Sequence, residues 1–265
     1  MTVLKLQPRR LWLQMRNDVL SNGRSLLITM AAAGAVIVGL SVLTSIGYIG
    51  NPNGGDGRAF HIPMYTLLLV VGGFVVTSLA FADLHDERKG MLYLSLPGSL
   101  LEKFVSKLLQ TSVFWAIGAT IVYFVGSLVG AGISQLAFGG SHGGYLPLSP
   151  GDLEIVWTYL LAQSIFLFGS IYFKKAAFIK TVLAVIVFAF AFAFVMVIVG
   201  RIVFASEFAH LIPTDAEMER LGQKFMDLTV EWPRVFEIIG NVVNYAVVPV
   251  FFWIAGFIRL RETEV

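Results

Sequence analysis

Long uncharged apolar runs decide what this chain can fold into. The stretches 25–49, 64–84, 108–133, 153–173, 181–204 and 241–260 each reach the length that crosses roughly 30 Å of hydrocarbon as a helix. Only 14% of the 265 residues are charged and 57% are apolar, with a mean hydropathy of +0.78, whereas a soluble domain carries about 25% charge. A globule of this size has no interior for so much apolar surface, so a soluble enzyme is excluded. Lipid offers backbone groups no hydrogen-bond partner, which leaves helices as the form for such runs. The sequence therefore predicts an all-α polytopic membrane protein with six transmembrane helices. The first run is too long for a cleaved signal core of about 7–15 residues, and it is expected to stay in the mature chain.

Lys and Arg positions predict the orientation. Fourteen of the nineteen flank one side of the spans, among them Arg9, Arg16, Arg88, Lys89, Lys103, Lys107, Lys174, Lys175 and Arg261. The other five are Arg58, Arg201, Arg220, Lys224 and Arg234. Positive residues beside spans are retained inside, so both termini are expected in the cytoplasm. The stretch 109–151 holds no charge over 43 residues; it reads as one span plus a Gly-rich outer loop that either stays outside or dips back into the membrane.

Three pieces outside the spans carry patterns of their own. In 1–24, Leu11, Trp12, Met15 and Val19 share one side of a helical wheel, which predicts a cytoplasmic interfacial helix. In 205–240, Thr214 and Glu217 have capping-box spacing, and Met218, Leu221, Phe225 and Leu228 then form an apolar stripe. This predicts short outer helices, equally readable as a plain cap over the span ends. In 85–107, a mixed-charge start leads to exposed Met91, Leu92 and Leu94, then a break at Pro97 and Gly98. Ser99 and Glu102 have capping-box spacing, so a new helix should begin there and run into the third span. Helix connections need only about 2–8 residues, so this longer one predicts a docking surface.

Much chemistry is missing. The chain has no cysteine, which removes thiolate metal sites and thiol catalysis. His61, His85, His142 and His210 are scattered without ligand spacing, so no metal site is expected. The Gly-rich run 50–57 lacks the Lys and Ser or Thr of a phosphate-binding loop and reads as a turn. No ionisable residue lies in the middle of a span, which weighs against proton-coupled transport by this chain alone.

Three cytoplasmic segments together resemble permease subunits of the second type of ATP-binding-cassette exporters, in a bacterial branch. The segment 90–107, GMLYLSLPGSLLEKFVSK, is similar to the coupling region of that family; 168–181, FGSIYFKKAAFIKT, is similar to its second inner loop, and 257–265, FIRLRETEV, to its ending. The resemblance implies a permease dimer, homomeric or with a related second permease, in the bacterial cytoplasmic membrane. It implies two separate ATPase subunits that carry the ATP and Mg, with no cofactor and no catalytic residue in this chain. By position it assigns the ATPase contact to Asp86, Glu87, Arg88, Lys89 and Gly90, continued by Met91, Leu92 and Leu94. Pro97 then stands at the break, with Glu102, Lys103 and Lys107 on the helix that follows. Lys103 and Lys107 serve equally well as positive-inside anchors. Small-residue faces, Ala31, Gly34, Ala35 and Gly39 in the first span and Gly118, Gly126 and Gly130 in the third, are expected to pack two permeases together or to pack within one. The substrate is open: lipids, amphiphilic drugs and hydrophobic peptides suit an uncharged path, and a dimer seam also carries polymers through polar backbone and Ser or Thr contacts. A membrane scaffold or sensor subunit that anchors a partner is the alternative function.

Overall fold

The computed structural model describes residues 7–47, 58–85, 98–139, 144–203, 214–217, 219–220, 222–223, 238 and 240–263. Among them there is no strand, and six helical stretches are long and apolar enough to cross a membrane: Leu27–Ser45, Phe60–His85, Leu100–Phe138, Pro150–Tyr172, Ala177–Ile202 and Gly240–Glu262. Each overlaps one run expected from sequence. In chain order the helices are α1 (Pro8–Gly47), α2 (Arg58–Ser78), α3 (Leu100–Leu109), α4 (Trp115–Phe138), α5 (Pro150–Tyr172), α6 (Ala177–Val203) and α7 (Val248–Glu262). A π-helical turn, Gln110–Phe114, joins α3 to α4 without a break. The resulting 39-residue rod is about 58 Å long at 1.5 Å per residue, nearly twice the hydrocarbon thickness.

Where an interfacial helix followed by a separate span was expected, α1 is one 40-residue helix. Between the two expected pieces stands Gly23, whose cost in a helix interior is about 1 kcal/mol, and bracing against α3 outweighs it. The bracing also rotates the expected face. Leu11 is half-buried and Met15 buried, but Trp12 and Val19 are exposed; the inward edge is Leu11, Gln14, Met15 and Asp18. A wheel drawn on apolarity alone misses this, because α3 presents polar groups.

α1 runs parallel to the α3–α4 rod. Their contact is built from the small residues of both helices: a Cβ placed on Gly126 would lie 3.1 Å from the Ile37 side chain, one on Gly130 would lie 2.6 Å from Ser41 Cβ, and Gly118 faces Met30. Of the two packing roles open to these glycines, the one within a single chain is what the structure shows. Helices in lipid gain no hydrophobic drive toward one another and depend on such close backbone approach. On α1, Ala31, Ala35 and Gly39 are left on the opposite, exposed side.

α2, α5 and α7 also run in a common direction. Phe74 of α2 stacks on Phe166 of α5, Phe168 of α5 meets Phe252 of α7, and His85 Nε2 lies 3.0 Å from the Ser170 carbonyl oxygen. Phe81, Leu100, Phe104, Leu167, Ile171 and Leu260 close one end of the bundle. This is the basic end, since Lys103, Lys107, Lys174, Lys175, Arg259 and Arg261 stand within two turns of these residues along the chain. α6 touches the bundle only at its start, where Phe178 stacks on Phe166 and Thr181 fills the notch at Gly169. From Leu183 to Val199 every residue is exposed.

The tight α1–α4 seam gives a first prediction. Gly130→Leu should lower the thermal stability of the detergent-solubilised protein, by roughly 1–3 kcal/mol for forced overpacking. Gly132→Leu, two residues on and with open space around it, should not. Equal melting temperatures for the two variants would contradict the seam.

Candidate functional site

The basic end is organised by one carboxylate. Glu102, fully buried, sits in the first turn of α3, where Ser99 is the N-cap. The Glu102 N–H donates to Ser99 Oγ at 3.1 Å, and the Ser99 N–H donates to Glu102 Oε2 at 2.9 Å, which completes the expected capping box. The second oxygen, Oε1, accepts the Gln7 N–H at 2.7 Å, immediately before α1. A single negative charge thus satisfies otherwise unpaired N–H groups at two helix N-termini, where the helix dipoles favour it.

Three turns along α1, Asp18 Oδ2 accepts from Lys107 Nζ at 2.8 Å and from Gln110 Nε2 at 3.1 Å. The Gln110 amide also reaches Ser106 Oγ at 3.1 Å. Lys107 is therefore paired and half-buried. α1 and α3 are held together by two polar clamps about 16 Å apart along α1.

The contact residues expected from sequence are distributed unevenly. Asp86, Glu87, Arg88, Lys89, Gly90, Met91, Leu92, Leu94 and Pro97 lie outside the described residues, as do Met218, Leu221, Phe225 and Leu228 of 205–240. Glu102 and Lys103 are described, and both are buried. Their side chains face the interior of this chain, so any part they take in a partner contact passes through the helix they anchor. Within 174–180, Lys174 and Lys175 are exposed in a tight turn and α6 begins at Ala177. In 205–240, the Thr214 N–H donates to Glu217 Oε2 at 2.8 Å, so the spacing read there does form a cap.

The opposite end carries a polar cluster that the search for metal spacing passed over. α4 ends at Gly139, whose φ of 71° is the left-handed C-cap conformation that glycine adopts without strain. The chain then returns. Gly144 packs so closely on Leu128 that a Cβ there would lie 2.3 Å from its side chain, about three turns back along α4. Gly144 and Tyr145 thus lie alongside the helix. The Tyr145 N–H donates to Ser127 Oγ at 2.9 Å, its hydroxyl donates to Asp152 Oδ1 at 2.6 Å, and its ring stacks on His61 with centroids 5.2 Å apart. The Tyr123 hydroxyl lies 2.9 Å from His61 Nδ1 and 3.0 Å from the His61 carbonyl oxygen. Ser149 donates to Asp152 Oδ2 through both its N–H and its hydroxyl. These bonds tie 144–149 to α2, α4 and α5. In sequence the traces are that His61 and Asp152 each stand at the head of an apolar run and that Ser149 and Asp152 have capping-box spacing.

Among the described residues no group of three His, Cys, Asp or Glu side chains could hold a metal ion. The arrangement is mechanical: two clamped ends joined by continuous helices. Comparison with family models, with curated proteins and with solved structures finds no match.

The carboxylate gives a second prediction. Glu102→Ala removes the acceptor from two backbone donors at once, and charged hydrogen bonds contribute about 1.5–3 kcal/mol each. Protease cleavage within 7–24 should become faster, and the melting temperature should fall further than in Asp18→Asn, which keeps an acceptor for Lys107. Unchanged proteolysis in Glu102→Ala would contradict the clamp.

Proposed function

We propose that this chain is the permease subunit of an ATP-binding-cassette exporter of the second type, working as a dimer with two separate ATPase subunits that bind the ATP and Mg. Both termini and 85–107 face the cytoplasm of a bacterial cell, and the segment from Asp86 to Leu94 receives the ATPase.

The observation that carries this reading is the continuity of Leu100–Phe138. The rod begins just after the proposed contact segment and runs through the apolar region without a flexible joint. It is clamped to α1 through Glu102 and Asp18. A displacement at the contact is therefore delivered to α1 and α4 together, and α2 enters the same segment from the other side. α6 supports the dimer: exposed from Leu183 to Val199, it has apolar surface for lipid and for a second permease. Ala31, Ala35 and Gly39 on the outer side of α1 offer the close-approach surface that such packing uses.

Two measurements test the proposal. The chain has no cysteine, so Lys89→Cys and Lys175→Cys should react with a membrane-impermeant maleimide only after the cells are opened. Labelling of intact cells would overturn the orientation and the coupling with it. Leu92→Asp combined with Leu94→Asp should remove the ATPase from the purified complex, because unpaired charge in an apolar contact costs several kcal/mol. Membrane insertion should persist, since neither position lies in a span. A double variant that keeps its full ATPase complement and still transports would place the contact elsewhere.

A further inference from the structure

The basic residues at one end of the bundle have two different fates. Those on α3 are used inside the chain: Lys103 is buried, and Lys107 is paired with Asp18. Those around the end of α5 are not. Lys174, Lys175 and Lys180 are exposed, and none of the three has an ion pair among the described residues. The sequence offers them no near acid either, since no Asp or Glu stands between Glu154 and Glu207. Retention of one side of a membrane protein in the cytoplasm needs only that such charges be present. Here they are also gathered and held.

The gathering comes from two aromatic rings at the end of α5. The Lys180 ammonium lies over the Phe173 ring, 5.9 Å from its centre, within the range of a cation–π contact. Lys180 is thereby turned back along α6, towards the turn in which Lys174 and Lys175 directly follow Phe173. Phe173 meets Tyr172 edge to face with centroids 5.1 Å apart, and the Arg259 guanidinium of α7 lies 5.4 Å from the Tyr172 ring centre. Arg259 also pairs with Glu262 at 2.5 Å, which leaves the three lysines as the uncompensated charge. The turn itself is held: Ala176 has a φ of 53°, a left-handed conformation that a residue with a Cβ adopts only under constraint. Phe178 and Thr181 then anchor the start of α6 on α5.

An apolar strip begins beside the three ammonium groups. Ile179, Leu183 and Ile186 of α6 are exposed and follow one another at intervals of four and three, which places them on one side of the helix. Concentrated positive charge thus stands at the end of an uncovered apolar helix. A phosphate joined to acyl chains matches both halves of that surface. A free phosphate would use the lysines alone, and an acidic protein surface would leave the strip unused.

We propose that the end of α5 and the start of α6 form a binding site for an anionic phospholipid, with its phosphate among Lys174, Lys175 and Lys180 and its chains along Ile179, Leu183 and Ile186. Basic surfaces at the ends of membrane helices attract anionic headgroups, each cation strengthening the binding about fivefold. The site requires that the chain span a membrane and is independent of the transport reading.

Native mass spectrometry of the detergent-solubilised protein tests it, with phosphatidylglycerol as the probe and phosphatidylcholine of the same chains as the neutral comparison. The native protein should keep a phosphatidylglycerol at collision energies that strip phosphatidylcholine. Lys174→Gln combined with Lys175→Gln and Lys180→Gln should lower the apparent affinity for phosphatidylglycerol about a hundredfold, with the melting temperature unchanged because all three side chains are exposed. Replacing the same three residues by Arg should keep the preference, as should Arg201→Gln at the far end of α6. Equal retention of the two lipids by the native protein, or an unchanged preference in the triple Gln variant, would overturn the site. Displacement of phosphatidylglycerol by an equal concentration of glycerol 3-phosphate would also overturn it, since a free phosphate would then suffice. A triple Gln variant that binds phosphatidylglycerol normally but loses a protein subunit from the native complex would assign the lysines to a protein contact instead.

Discussion

The basic end depends on the Glu102 carboxylate. Because it is buried, it must be fully hydrogen-bonded, and the donors at hand are the ends of two helices. Meeting that requirement fixes α3 by its own cap and fixes the start of α1 against it. The Asp18–Lys107 pair and the small-residue seam then continue the same register, so α1 and the rod behave as one thick strut. Replacing the carboxylate by an apolar side chain would leave two helix ends without their acceptor, which is why a charge is retained where a membrane protein otherwise avoids it.

The two ends of the bundle solve the same problem differently. At the basic end the polar groups are ions and caps, satisfied close to where the charges can reach water. At the opposite end, aromatic hydroxyls, a histidine and Asp152 hold a folded-back segment in place. Between them the polar groups are neutral and few. α6 takes almost no part: beyond its first turns it adds apolar surface without adding packing. A chain built only for its own stability would bury such a helix, so its exposure fits surroundings that are themselves apolar.

What could be read from sequence follows the range of the interaction. The six long helices were legible because an apolar run of sufficient length has no other use, and the caps at Ser99 and Thr214 were legible because partner and donor are three residues apart. The join between the expected interfacial helix and the first span was not, since it depends on α3 bracing α1 from about ninety residues away. The same distance hid the second partner of Glu102. For Gly126 and Gly130 the sequence showed small faces but not which helix they meet. The stacking of Tyr145 on His61 and the π-helical turn left no local pattern, because both arise from tertiary fit. Of the stretch 85–107, the break at Gly98 and the helix after it were legible; the inward packing of Lys103 and Lys107 was not, since basic residues beside a span read alike whether they face water or a neighbouring helix.

The central claim is that this chain is moved by separate ATPase subunits. The direct measurement is the subunit composition and ATP turnover of the tagged protein isolated from native membranes in mild detergent. The account predicts one nucleotide-binding ATPase subunit per permease chain, two of each in the complex, with ATP hydrolysis that changes when the complex is reconstituted into lipid. A stable, monodisperse protein isolated without any nucleotide-binding subunit, and with no ATP turnover under those conditions, would contradict it.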